Sequence, residues 1–188
     1  MGRAIYVSSV NGDDANSGYA PEKAFRSLRK VNQMEIQPGD QIFLERGSVF
    51  IGEYLHLYAG GTKEAPVVVD AYGEGALPRI EADGNGIWYQ NYGGHLDNVV
   101  HTWKGYLSSA VLLYDAEYIT VRNLEITNDP LVKNERMNQA DRMNRTGVSV
   151  IAQNHGTLHQ IELAYLYVHD VEGNIYDKLG RPARPLRR

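Results

Sequence analysis

Late in the chain, His169-Asp170-Val171-Glu172-Gly173 sets two carboxylates two residues apart. Alternate residues of an extended strand share a face, so Asp170 and Glu172 point the same way if a strand runs that far. Cleaving a glycosidic bond takes two carboxylates flanking it, one as acid and one as base or nucleophile. Asp170 and Glu172 are therefore the catalytic candidates. A flanking pair usually comes from different strands, so one of the two could serve. The competing reading is structural: Asp170 falls where Asn128 stands in a related stretch upstream, and would hold a turn or a ladder there.

Two polar segments offer binding chemistry. Between Gly84 and Ser108, Trp88, Tyr92, Trp103 and Tyr106 stand among Gly, Asn and His, and both Trp residues of the chain are here. Flat rings of this kind stack on the apolar faces of sugar rings, or else fold back over a sheet as a satellite core. A segment this long between strands needs a reason, and sugar contact is one. Between Asp129 and Thr146, Lys133, Arg136, Arg142 and Arg145 alternate with Glu135 and Asp141. Arg grips a carboxylate in two-point fashion, which suits an acidic sugar; the alternative is a solvated loop with internal ion pairs. These eight residues, Trp88, Tyr92, Trp103, Tyr106, Lys133, Arg136, Arg142 and Arg145, are the substrate-binding candidates.

Other chemistries find no foothold. The chain has no Cys, which excludes disulfides and thiolate metal sites. It holds no nucleophile elbow, phosphate loop, zinc-protease helix or dinucleotide fingerprint. Asp14-x-Asn16-x-Gly18 has the opening spacing of a calcium loop, but Phe25 occupies the position of the closing Glu. No cofactor and no metal site is expected; calcium is left as an option without a clear motif. The net charge is −4, while the last eight residues hold four Arg and no acid, so the body is more acidic than the whole. That argues against nucleic acid as a partner. No apolar run approaches a membrane span, and Met1-Gly2-Arg3 leads straight into a strand without an apolar leader, which leaves the compartment open.

The elements that must position these groups are short. Ala4–Ser8, Gln41–Glu45, Tyr54–Tyr58, Pro66–Tyr72 and Pro78–Ala82 alternate as strands, with Gly, Pro and Asp turns between them. Pro21 opens a short helix in which Phe25, Leu28, Val31 and Met34 make one apolar stripe. Further on, residues 118–129 are echoed after 42 positions: Ile119 matches Ile161, Val121 Leu163, Leu124 Leu166, Ile126 Val168 and Asn128 Asp170, with bends at Asn123 and Tyr165. Ala110–Leu113 answers Gly147–Val150 at an offset of 37. A unit that repeats in this way cannot bury its apolar face alone and must stack on its neighbours. Short strands with one helix fit a β-sandwich or a β-helix, and the repeat favours the β-helix.

Tyr6-Val7-Ser8, Asn11 to Gly18, Pro21, Ala24 to Leu28, Pro38 to Leu44 and Gly47 to Phe50 together resemble the opening signature of right-handed parallel β-helix proteins of the pectate-lyase-like group. These are polysaccharide lyases and glycoside hydrolases, mostly bacterial and often secreted or on the cell surface, with epimerases and non-catalytic surface proteins among them. The resemblance, over roughly residues 4–178, implies an all-β solenoid with a short N-terminal capping helix. It makes 110–114 and 147–151 first-sheet strands on the floor of a substrate cleft. It implies a polysaccharide or oligosaccharide partner and, for the whole protein, hydrolase or lyase activity, with a glycan-binding module that does not cleave as the alternative.

After Lys178 the pattern stops, and Leu-Gly-Arg-Pro-Ala-Arg-Pro-Leu-Arg-Arg alternates like nothing upstream. The expectation is a cap and first coils over 1–178, cut short, with 179–188 a non-native-looking or disordered basic tail; a natural basic tail is the other reading. A β-helix cut between coils leaves unpaired strand edges, so self-association through the open end is expected.

Overall fold

The computed structural model describes residues 2–91, 104–129 and 144–172. These are almost entirely strand and turn, with one short helix, α1 (Leu28–Asn32), and a 3-10 turn at Pro21–Lys23. The chain is all-β. Its thirteen described strands are β1 (Ala4–Val7), β2 (Gln41–Glu45), β3 (Val49–Ile51), β4 (Leu55–Leu57), β5 (Val67–Tyr72), β6 (Arg79–Glu81), β7 (Ile87–Asn91), β8 (Lys104–Tyr114), β9 (Ile119–Arg122), β10 (Glu125–Asn128), β11 (Asn144–Ile151), β12 (Ile161–Ala164) and β13 (Tyr167–Val171).

They form three open sheets. Sheet I runs β4-β8-β11, sheet II β1-β2-β5-β9-β12 and sheet III β3-β6-β10-β13. All neighbours within these paths pair in parallel. The chain visits the sheets in one rotation, II then III then I, and the parallel register stacks like residue on like. In sheet II, Ile5, Ile42, Val69, Val121 and Leu163 form one column. In sheet III the column is Phe50, Ile80, Ile126 and Val168, and in sheet I it is Leu57, Leu113 and Val150. Every member is at most 1% exposed except the last of each column. Full burial of one such side chain contributes roughly 1.5–3 kcal/mol, so the columns are the main source of stability.

The repeat read from the sequence pairs as expected, Ile119 on Ile161 and Val121 on Leu163, with the 37-residue offset holding Val111 on Val148. Asn123 and Tyr165 both take left-handed backbone, at φ 58° and 51°. One correspondence fails. After Ile126 on Val168 the register slips, and Asn128 pairs with Val171 instead of Asp170. Asp170 is the extra residue, at φ 45°. The bulge also interrupts the strict alternation that would set Asp170 and Glu172 on one face.

Three other expectations change. Phe25 is not helical: it bridges Val7 in strand fashion, and the expected helix splits into the 3-10 turn and α1, though Phe25, Leu28 and Val31 are all buried. The strand β3 lies in a stretch to which the sequence pattern assigns no element, because three residues are too few to show alternation. The segment after Gly84 opens and closes as strand: β7 pairs antiparallel with β8, Ile87 on Ser108 through Asn91 on Lys104, as an arm extending sheet I. The basic tail, 179–188, lies outside the described residues.

Candidate functional site

Along β4 the sequence Tyr54-Leu55-His56-Leu57-Tyr58 alternates, with Leu55 and Leu57 in the main core. The rings therefore share the opposite, outer face of sheet I. Parallel register sets His56 beside Leu112, and Tyr114 beside Ile151. The result is a continuous aromatic strip. Ring centroids are 4.4 Å apart for Tyr54 and His56, 6.4 Å for His56 and Tyr58, 5.7 Å for Tyr58 and Tyr114, and 6.0 Å for Tyr114 and Trp88. Tyr58 is 60% exposed; Tyr54 and Tyr114 are half-buried.

Beside the rings lies a cluster of hydroxyls. Trp88 Nε1 donates to Ser109 Oγ at 2.8 Å, and Ser109, Thr146 and Ser149 are mutually bonded at 2.7 to 2.9 Å. Gly86 makes this possible. At φ 70° it turns the arm, and a Cβ there would overlap the Ser109 carbonyl and crowd His56 Nε2. That Nε2 lies 2.9 Å from the same carbonyl oxygen, which only accepts, so it carries the proton. Burial pushes the His56 pKa down, keeping the ring neutral. Burial, with Tyr54 and Tyr114 nearby, pushes the Tyr58 hydroxyl up, keeping it a donor.

At the Tyr54 end the strip meets a pocket of about 700 Å³ bordered by Ser27, Arg29, Asn32, Gln33 and Glu53. Burial raises the Glu53 pKa, although its carboxylate accepts the Leu28 N–H at 2.6 Å. Asn32 ties α1 to the strip: its Nδ2 donates to the Tyr54 carbonyl at 2.8 Å and its Oδ1 accepts the His56 N–H at 2.9 Å.

The residues singled out by type and spacing scatter. Trp88 is 7% exposed and packs with Leu112, Ile151, Leu107 and Tyr114, the satellite-core role. Tyr106 is 66% exposed on the arm, edge-on to Tyr89 at 5.1 Å. Arg145 lies against Gly84, its Nε buried and without a hydrogen-bond partner among the described residues. Tyr92, Trp103, Lys133, Arg136 and Arg142 lie outside the described residues. Asp170 is on β13 of sheet III, a different sheet from the strip, and Glu172 directly follows that strand. Asp170 there bonds His169 Nδ1 at 2.9 Å, while Glu125 bonds Nε2 at 3.0 Å. Asp14 is used locally: it accepts the Arg26 and Ser27 N–H groups at 2.9 Å and the Ser27 hydroxyl at 2.6 Å. Tyr54, Tyr58 and Tyr114 escaped the sequence reading as a site. The ring-aliphatic-ring-aliphatic-ring order of β4 was the available signal.

No family model matches the chain. It is 40% identical, over 94% of its length, to the lacto-N-biosidase of Bifidobacterium longum subsp. longum, of which it spans 12%. The crystal structure of the GH136 lacto-N-biosidase of Eubacterium ramulus, as the selenomethionine derivative, matches 94% of the chain at 56% identity with a TM-score of 0.88. The native form matches 93% at the same identity with a TM-score of 0.87, and the chain covers 28% of each. The chain thus spans less than a third of the relatives it matches. Its homologues are carbohydrate-active glycoside hydrolases.

Proposed function

We propose that the chain is the leading part of a glycoside hydrolase built as a right-handed parallel β-helix, and that the outer face of sheet I holds an oligosaccharide of the lacto-N-bioside class. The 56% identity to a GH136 lacto-N-biosidase over nearly the whole chain carries this reading. The rotation of the chain through three parallel sheets supports the β-helix. The strip supports the sugar: Tyr58 offers a ring face to a pyranose, and the Tyr54 and Tyr58 hydroxyls and the polar pocket offer hydrogen bonds to its hydroxyls.

Calorimetric titration of the chain with lacto-N-biose tests the site. Millimolar-range binding is expected, and Tyr58→Ala should weaken it about tenfold, equivalent to about 1.4 kcal/mol. Binding that is absent, or indifferent to both Tyr58→Ala and Tyr114→Ala, refutes the site. A second reading, glycan binding without cleavage by this chain, is favoured by the strip's membership: rings and hydroxyls hold a sugar but supply no acid–base carboxylate pair. Release of lacto-N-biose from a lacto-N-bioside by the chain alone decides for cleavage; binding without release decides for the second reading.

A further inference from the structure

At the Tyr54 end the aromatic strip runs into a cavity rather than onto a flat surface. The Tyr54 ring lies 4.4 Å from that of His56 and also borders the pocket of about 700 Å³, so strip and cavity share one side chain. That volume is in the range of pockets that enclose whole small molecules. The other side chains at its border, Ser27, Arg29, Asn32, Gln33 and Glu53, are all polar.

The charge around the pocket is one-sided. Backbone N–H groups at the start of a helix ordinarily draw an anion, but here they are already given to carboxylates. Asp14 Oδ1 accepts the Arg26 and Ser27 N–H groups at 2.9 Å, and Glu53 Oε2 accepts that of Leu28 at 2.6 Å. Such bonds favour the charged form of both acids. Arg29, the cation among the described residues of the border, pairs with Asp14 at 3.4 Å. A ligand entering the pocket therefore meets the Glu53 carboxylate without an unpaired cation to offset it. Asn32 is also committed, since both ends of its amide bond β4 at Tyr54 and His56. It shapes the wall and leaves the ligand to Gln33 and Glu53.

We propose that this pocket is a second sugar subsite continuing the strip, that it takes a neutral sugar unit, and that Glu53 is the residue that turns acidic sugars away. The proposal rests on the reading of the strip as an oligosaccharide site. A neutral sugar donates a hydroxyl proton to Glu53 and bonds the Gln33 amide beside it. A sugar carboxylate in the same place sets like charge against like in a partly enclosed space, where screening by water is weak.

Calorimetric titration of the chain with a neutral tetrasaccharide containing lacto-N-biose, and with two acidic forms of it carboxylated at one end or the other, tests this. One acidic form should bind at least about tenfold more weakly than the neutral one, and Glu53→Gln, which keeps an acceptor for the Leu28 N–H, should remove most of that difference. In the unaltered chain, the NMR signals of the Gln33 side-chain amide should shift on titration with the neutral tetrasaccharide, a readout independent of how the variant folds. Equal binding of all three sugars, or a difference that Glu53→Gln leaves in place, overturns the role of Glu53. Gln33 signals that stay fixed while binding still depends on Tyr58 overturn the subsite and leave the strip standing. No binding of any of the three overturns the strip reading together with the subsite.

Discussion

The two ends of the stack handle the same problem in opposite ways. At the end that begins with β1, every sheet edge has a partner that is not a strand of the next rung. Gly18 and Phe25 bond the β1 backbone, Ser9 bonds β3, and the Asn32 amide meets both the carbonyl of Tyr54 and the N–H of His56. Phe25, Leu28 and Val31 are buried in the same core cluster as Ile5, Phe50 and Leu57, and Ile5 is fully buried. Arg3 holds Asp40 by its backbone N–H at 2.9 Å and its Nε at 3.1 Å, pinning the start of β1 to the start of β2. At the β11–β12–β13 end the same columns finish on half-exposed Leu163, Val168 and Val150. The repeat unit is the same at both ends. What differs is whether something non-repetitive closes it, and a covered edge is protected from further strand pairing.

The largest expected effect comes from comparing one column at two depths. Ile42→Ala should cost about 3 kcal/mol in chemical denaturation, because a fully buried residue leaves a cavity. Leu163→Ala, at the open end of that column, should cost less than about 1 kcal/mol. Equal costs for the two would mean that the open end is already covered.

Asp40→Ala tests the closed end and should cost about 2 kcal/mol, discounted for the part-exposed Arg3. Burial pushes the Asp40 carboxyl up, but the Arg3 guanidinium and the Gln37 and Arg3 N–H groups outweigh it and hold the pKa below its usual 3.8. The pair's contribution is therefore present above pH about 4 and lost as pH falls through the lowered value. Denaturation midpoints followed between pH 5 and 2 should show a loss in the wild type that the variant lacks.

The smallest effect belongs to the open end. His169 bonds Asp170 and Glu125, in that order of influence, and its pKa is raised above 6.5. Its contribution is full below pH about 6.5 and fades as pH rises through the raised value. An NMR titration of the imidazole should give a midpoint above 6.5 that Asp170→Asn lowers. An unmoved midpoint would show that the bulge does not hold the two side chains together.

Much of the scaffold was legible because parallel stacking copies register into sequence: Ile119 and Ile161, or Val111 and Val148, had to be like residues to share a column. Asp170 was misread for the same reason, since a bulge is a backbone event that leaves the flanking residue types intact. The helix was overextended because Phe25, Leu28 and Val31 keep a three-residue spacing while Phe25 bonds as strand. The binding candidates were drawn from the longest polar segments, where Trp88 proves to be core and Tyr106 an exposed arm residue.

By itself, then, the sequence determined the all-β class, the repeat, the bends at Asn123 and Tyr165 and the burial of the columns, because these follow from residue type and local spacing. Only the tertiary structure decided that Tyr54, His56, Tyr58, Tyr114 and Trp88 meet on one face, and that three column ends lie open on one rung. Trp88 and Tyr114 come from positions tens of residues from Tyr54, His56 and Tyr58, and their meeting depends on which strands pair, while the open column ends depend on which edges are already taken. Neither is written in any local pattern.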